Sequence, residues 1–380
     1  MIYLDNAATS LIKPKEVIMA VCDATYRGCA NPGRGGHSLS VSAGEMLYNT
    51  RSRIAELFNI GNPERVVFCK NTTEALNFGI KGVMYKGGHI ITTSMEHNSV
   101  IRPIKALEKQ GVTHSILQAD ANGCLDINRL EKMMRRDTKL VVMTHSSNVC
   151  GNIYDIERAA SIAHRNNALF MVDAAQSAGS VPIDVKNIDL LAFPGHKGLL
   201  GPMGTGGLYV AEGVRILPII EGGTGSVSES LIQPDFFPDI LESGTQNVPA
   251  IAGLGAAAEF LLKEGISVIH QYENELRMHF EEKIKNIENI TIYGSGEKTA
   301  ITAFNIMGAD CVEVAQILND EYNIAVRSGL HCAVLAHKSL KTEQIGCVRA
   351  SFGYFNTQKE VDYAVDAVYK ISKKLQNSQN

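Results

Sequence analysis

The chain has no surplus of basic charge. Its 36 Lys and Arg stand against 40 Asp and Glu, a net charge of −4. A nucleic-acid binder normally carries a basic face or a strongly basic domain, so that class is disfavoured. There is no CxxC pair and no Cys/His cluster at zinc-ligand spacing, and no metal site is expected. No basic segment followed by an apolar run opens the sequence. The longest apolar stretch, 248–262, is rich in Gly and Ala and contains Glu259. It is too short and too interrupted to span a bilayer and reads as a buried helix. Repeats and low-complexity segments are missing too, with only 376–380 reading as a loose tail. No GxGxxG follows an early strand, which argues against a dinucleotide-binding dehydrogenase.

What is present fits a globular protein. Apolar residues make up 45% of 380 and charged residues 20%. That length suits one large and one smaller domain. The eight cysteines, at 22, 29, 69, 124, 150, 311, 332 and 347, are expected as free thiols in a reducing cytoplasm.

Six short apolar runs, 65–69, 89–93, 140–144, 168–172, 188–193 and 207–210, are interleaved with amphipathic stretches at 73–83, 100–110 and 156–166. Such alternation predicts a mostly parallel sheet covered by helices on both faces. The last third differs. A helix over 267–287 precedes strands near 290–293, 301–306, 324–327 and 347–351, with helices at 311–322 and 357–374. This predicts a separate α+β unit. The expected division is a large domain over 15–247 and a small one from 1–14 and 248–380.

Five of the runs end in polar, chemically capable residues. They lead into Lys70-Asn-Thr-Thr-Glu, Ser94-Met-Glu-His-Asn, His145-Ser-Ser-Asn, Asp173-Ala-Ala-Gln and Pro194-Gly-His-Lys. Ligands of open parallel sheets bind outside the carboxyl ends of the strands, so one site shared by five loops is the economical reading. The Asn71-Thr-Thr-Glu helix start suits a phosphate, or is a plain cap with Thr72 capping. Asp173 suits a protonated pyridine nitrogen, or is a loop carboxylate. His97 is a flat ring for stacking, or a surface histidine. Lys197, among Gly195, Gly198 and further glycines, suits a Schiff-base lysine. Singly the plain readings are favoured; together the five point to pyridoxal phosphate.

At these residues the sequence resembles the class V aminotransferases, fold-type-I pyridoxal-phosphate enzymes, and among them the cysteine desulfurases and selenocysteine lyases. The similarity runs from Tyr3-Leu-Asp-Asn-Ala-Ala-Thr to Arg349-Ala-Ser-Phe-Gly-Tyr-Phe-Asn-Thr. It implies an α/β large domain with a mostly parallel seven-stranded sheet flanked by helices, and a small α+β domain carrying a catalytic cysteine loop. It also implies a role for each matching residue. Lys197 holds the cofactor as a Schiff base. Asp173 meets the pyridine nitrogen, and Gln176 the phenolic oxygen. His97 stacks on the ring, and Asn148 lies near the phenolic oxygen and the substrate carboxylate. Thr72, Thr73 and His196 hold the phosphate, and Thr245 reaches the phosphate of the partner in a homodimer. Arg349 binds the substrate carboxylate.

Cys332, in Val326-Arg-Ser-Gly-Leu-His-Cys-Ala, is the implied sulfur acceptor. The wording of that stretch is similar to the selenocysteine-lyase-like branch, and His331 is placed to help hold a thiolate. Two positions depart from the pattern. Pro194 stands where relatives often carry a phosphate-binding serine, and Leu330 replaces a histidine common in close relatives. The implied activity is release of alanine from L-cysteine or L-selenocysteine, with sulfur passing through a Cys332 persulfide to an acceptor protein. The rivals are an aminotransferase or epimerase of the same fold, against which the Cys332 loop argues, and a cofactor-binding protein without catalysis.

Overall fold

The computed structural model describes residues 1–26, 30–32 and 35–379, with side chains as far as Gln376; Cys29 and Asn380 lie outside the described residues. The chain opens with β1 (Ile2–Tyr3), α1 (Lys15–Tyr26) and α2 (Ser38–Leu57). There follow β2 (Val66–Cys69), α3 (Thr72–Val83), β3 (Gly88–Thr93), α4 (Asn98–Leu107), β4 (Val112–Leu117), α5 (Asn128–Met133) and β5 (Thr138–Thr144). Then come α6 (Ile156–Arg165), β6 (Leu169–Asp173), β7 (Leu190–Pro194), β8 (Gly206–Val210) and α7 (Val248–Glu264). The remainder comprises α8 (Ile266–Ile284), β9 (Ile290–Tyr293), β10 (Ile301–Ile306), α9 (Cys311–Tyr322), β11 (Ile324–Ala325), β12 (Arg327–Gly329), α10 (Val334–Ser339), β13 (Cys347–Ser351) and α11 (Gln358–Gln379).

The large sheet has seven strands in the order β2-β8-β7-β6-β5-β3-β4, and β8 alone runs against the rest. The mostly parallel seven-stranded α/β sheet is therefore present. Its apolar runs are continuous because successive side chains enter opposite cores. Val66, Phe68, Val141, Met143, Phe170, Val172, Leu191 and Phe193 pack on one face. Val67, Cys69, Leu140, Val142, Met171, Leu190 and Ala192 pack on the other. The first face is covered by α2, α6 and α7, the second by α3 and α4. The 248–262 stretch is the buried helix α7, capped by Asn247, and it lies along α1 and α2.

A third core gathers α8, α9 and α11 over the antiparallel sheet β12-β13-β10-β9. Leu4 belongs to it, and β1 pairs in parallel with β11. The single strand expected over 324–327 is split. Ile324 and Ala325 pair with β1, while Arg327–Gly329 pair with β13. The chain changes partner at Val326 because β1 occupies one sheet and β13 the other. The expected loose tail at 376–380 is also revised: α11 continues to Gln379. Among the described residues no helix is long and apolar enough to cross a membrane.

Candidate active site

The carboxyl ends of β2, β3, β5, β6 and β7 surround a cavity. Thr72, Thr73, His97, Asn148, Asp173, Gln176, His196 and Lys197 all line it. Eight residues from five separate loops thus converge as expected from their strand-end positions.

At one end stands the start of α3. Asn71, not Thr72, is the cap: its Oδ1 accepts the Glu74 N–H at 3.0 Å, and Glu74 Oε2 accepts the Lys70 N–H at 2.7 Å. Capping one residue earlier leaves the Thr72 hydroxyl out of the cap. The N–H groups of Thr72 and Thr73 have no partner among the described residues, as at any open helix N-terminus. Thr73 Oγ1 lies 2.8 Å from Ser99 Oγ, which lies 2.9 Å from His97 Nδ1. Ser99 also donates its backbone N–H to that nitrogen at 3.0 Å. His97 Nδ1 is therefore an acceptor, and the ring proton sits on Nε2. Burial, with the nearby Lys197 and Arg327 cations, brings the His97 pKa down to about 4, so the ring is neutral at pH 7. Ser99 was not anticipated, although it ends the same Glu-His-Asn-Ser stretch.

On the opposite side Asp173 closes β6. Burial lifts its carboxyl to about 6, opposed by the Ala175 N–H at 2.9 Å and by the Lys197 charge. Lys197 is half-buried. Burial, then Arg349, pulls its amine down to about 8, with Asp173 acting the other way. The glycines around Lys197 have a nearer reason than room for a ligand. A Cβ on Gly198 would stand 2.6 Å from the Ala178 carbonyl oxygen. Pro194 is not among the residues lining the cavity; it pairs with Gly206 on β8, beyond the last β6 pairing at Ala192. The Gln176 amide donates to the Ala7 carbonyl at 3.1 Å. His196, brought to about 4 by burial and the Lys197 charge, meets Thr9 Oγ1 at 3.1 Å.

Arg349 lies on β13 of the small sheet, and Cys332 between β12 and α10. Arg349 is 1% exposed. Its Nη1 donates to the Asn148 carbonyl at 2.8 Å and its Nη2 to Asp5 at 2.9 Å, while Nε has no partner among the described residues. Asp5 was not anticipated. Cys332 is exposed, and its carbonyl accepts the Asn98 N–H at 2.8 Å, directly after His97. The Asn148 amide donates to the His331 carbonyl at 2.8 Å. Cys332 thus sits on a short segment between β12 and α10, bonded to the α4 N-terminus and to the loop after β5. His331 is turned inward. Its Nε2 faces the Cys347 carbonyl at 3.1 Å and Sγ at 3.4 Å, and burial drives its pKa to about 2. The ring hydrogen-bonds there, not to Cys332.

Thr245 is not brought to this cavity. It is exposed and lines another, with Gly223, Tyr48 and Glu242. Its segment is anchored by a buried pair in which the Arg51 Nη groups meet the Glu242 carboxylate at 2.7 and 2.6 Å.

The sequence profile of the family Aminotransferase class-V matches residues 2–364. A probable cysteine desulfurase of Methanothermobacter thermautotrophicus is 37% identical over 380 residues, covering 98% of this chain and 94% of that protein. A cysteine desulfurase of Escherichia coli O157:H7 is 34% identical, covering 98% and 94%. The apo structure of a cysteine desulfurase from Thermococcus onnurineus superposes with a TM-score of 0.92 at 35% identity, covering 98% and 95%. An Escherichia coli cysteine desulfurase in an S-sulfonic acid form gives 0.89 at 28% identity, covering 98% and 94%. The chain belongs to the class V aminotransferase family.

Proposed function

We propose that this chain is a pyridoxal-phosphate-dependent cysteine desulfurase, which moves sulfur from L-cysteine to Cys332 and releases alanine. The observation that carries the reading is a cavity holding a half-buried lysine and a buried carboxylate, with the exposed Cys332 bonded through its carbonyl to the Asn98 N–H, next to His97. The donor set fits the cofactor. Thr72, Thr73 and His196 would take its phosphate at the α3 N-terminus, and Asp173 its pyridine nitrogen. His97 would cover its ring, Gln176 and Asn148 would reach its phenolic oxygen, and Lys197 Nζ would attach covalently. When bound, the cofactor withdraws electrons from the substrate Cα.

The chain's own groups do the rest. Arg349 and Asn148 hold the substrate carboxylate. Lys197 Nζ, with its pKa lowered to about 8, takes the Cα proton and later returns one. Cys332 Sγ, as thiolate, attacks the substrate sulfur. An S–S bond forms while the substrate Cβ–S bond breaks with its electron pair staying on carbon. That carbon takes a proton to become the methyl group of alanine. The persulfide sulfur then leaves with a reductant or passes to an acceptor protein, which the exposed position of Cys332 would admit. We also place two copies in a dimer in which Thr245 serves the neighbouring cavity, since it stands away from its own. A reducing cytoplasm suits a mechanism that needs this thiol free.

The test compares alanine release from L-cysteine and L-selenocysteine, with and without reductant, in the native protein and in Cys332→Ser. Loss with cysteine, no persulfide by mass spectrometry and an intact cofactor spectrum are expected for Cys332→Ser. Full turnover of cysteine by Cys332→Ser, or added sulfur on another cysteine alone, refutes the assignment. Equal turnover of selenocysteine by both proteins would add selenocysteine lyase activity.

A further inference from the structure

Under the Cys332 loop three ligand-type side chains meet in the core: His331 on the loop, His337 on α10 and Cys347 at the start of β13. They are 3%, 0% and 1% exposed. Each offers one ligand atom, and these atoms all lie within 4.8 Å of one another. None of the three lines the cavity described above. Two ring nitrogens in the cluster, His331 Nδ1 and His337 Nε2, are buried without a hydrogen-bond partner among the described residues. Buried polar atoms are nearly always paired, so two orphans call for a reason; on His331 it is the other nitrogen, Nε2, that faces the Cys347 carbonyl at 3.1 Å and Sγ at 3.4 Å. The other nitrogen of His337, Nδ1, sits 2.7 Å from Thr342 Oγ1. That is the outer hydrogen bond that fixes the ring of a metal-ligating histidine.

We propose that His331, His337 and Cys347 form a three-ligand site for one thiophilic d10 cation, copper(I) in preference to zinc(II). One thiolate and two imidazoles are the donors that such ions select. Charge chooses between the two. Burial penalises net charge, and the cationic Arg349 and Arg327 already act on His331. A thiolate cancels copper(I), whereas zinc(II) would leave a positive charge in the core. Zinc(II) would also call for a fourth ligand, while three suffice for copper(I). Binding converts the Cys347 thiol to a thiolate: the S–H bond breaks, an S–Cu bond forms, and the proton leaves to solvent with no change of oxidation state. Metal–ligand bonds of about 2.0–2.3 Å draw the three side chains closer together than in the empty cluster.

The site bears on Cys332 through the backbone. His331 and Cys332 both have left-handed φ, 47° and 57°, a conformation that non-glycine residues rarely adopt. A metal bond to His331 ties that turn to α10 and β13, so loading raises the melting temperature as well as filling the site.

The experiment uses the full chain reconstituted with pyridoxal phosphate. Copper(I), kept anaerobic and reduced, and zinc(II) are offered separately, competed against a chelator and counted after desalting. One copper per chain is expected in the native protein and in Cys332→Ser, with affinity at least tenfold weaker in Cys347→Ser and His337→Gln. X-ray absorption should show one sulfur and two imidazole nitrogens. Zinc retained by the same residues, with copper lost, would keep the site and reassign the ion. Thr342→Ala touches the cluster only through the His337 bond, and roughly ten- to hundredfold weaker binding is expected of it. The yellow cofactor band reports folding in every variant. Three results overturn the proposal: no metal kept by the native protein, retention unchanged in Cys347→Ser and His337→Gln, or loss in Cys332→Ser alone.

Discussion

Replacing Arg349 by lysine keeps a positive charge on β13 and removes the planar fork. In the native protein two arms of that fork are already committed, Nη2 to Asp5 at 2.9 Å and Nη1 to the Asn148 carbonyl at 2.8 Å. Nε is the buried donor without a partner, and it is the group available to an incoming carboxylate. A lysine ammonium can keep the Asp5 pair or meet the substrate, but it cannot serve the three acceptor directions of the planar guanidinium at once. One lost charge-assisted bond amounts to about 1.5–3 kcal/mol. At about 1.4 kcal/mol per decade that is roughly ten- to a hundredfold in kcat/KM. The loss should fall mainly on KM, because Lys197 and Asp173 are untouched. The assay is initial-rate alanine formation from L-cysteine over a range of concentrations, with cofactor absorbance and melting temperature as companions. Asp5→Asn serves as the control, since it weakens the clasp between the N-terminal segment and β13 without removing the fork. If Arg349→Lys lowers the melting temperature as Asp5→Asn does and leaves KM and kcat/KM unchanged, Arg349 is a structural clasp and not the carboxylate site.

Lys197→Ala should bind pyridoxal phosphate without a borohydride-stable link to the chain, and a link surviving that substitution, seen by mass spectrometry, removes Lys197 from its role. Attachment needs the neutral amine, so uptake of the cofactor by the stripped protein should speed up with rising pH around about 8. A midpoint at the ordinary lysine value of 10.5 would contradict the effect of burial. The same shift means that between about 8 and 10.5 the unfolded chain holds more protons at this lysine than the native chain does. In the stripped protein its contribution to stability therefore rises with pH across that window.

How much of this was legible in the sequence depended on whether both sides of an element were buried. β2, β5, β6 and β7 read as unbroken apolar runs because each lies between two cores. β4, at the sheet edge, reads Val-Thr-His-Ser-Ile-Leu with Thr113 exposed, and it carries no such signal. The cavity residues were legible because strand ends and helix starts are local features. Their supports were not. Asp5 meets Arg349 across 344 residues, and Arg51 meets Glu242 across 191. The His331–His337–Cys347 cluster escaped notice for a related reason. Five residues separate its two histidines, and the cysteine arrives on a different element, so no metal-ligand spacing appears in the sequence.

The Asp5 support belongs to a larger one, carried by the first thirteen residues. Leu4 is built into the small core, and Asp5 bridges to Ser351 at the end of β13 while pairing with Arg349. A few residues on, the Ala7 carbonyl accepts from Gln176. Thr9 Oγ1, the Ser10 N–H and hydroxyl, and Lys13 Nζ all reach the His196 carbonyl at 3.0–3.1 Å. Ser10 Oγ also reaches the Lys197 carbonyl at 3.1 Å. The segment thus joins the arginine proposed to hold the substrate to the lysine proposed to hold the cofactor. Neutral bonds of this kind contribute about 1 kcal/mol each, so no single one fixes the spacing between the two groups; their number does. Asp5 adds a second effect, because its charge acts on Lys197 against the desolvation that lowers the amine. An amino-terminal segment that looks peripheral in the sequence therefore ties the two cations together and adds one of the charges that act on Lys197.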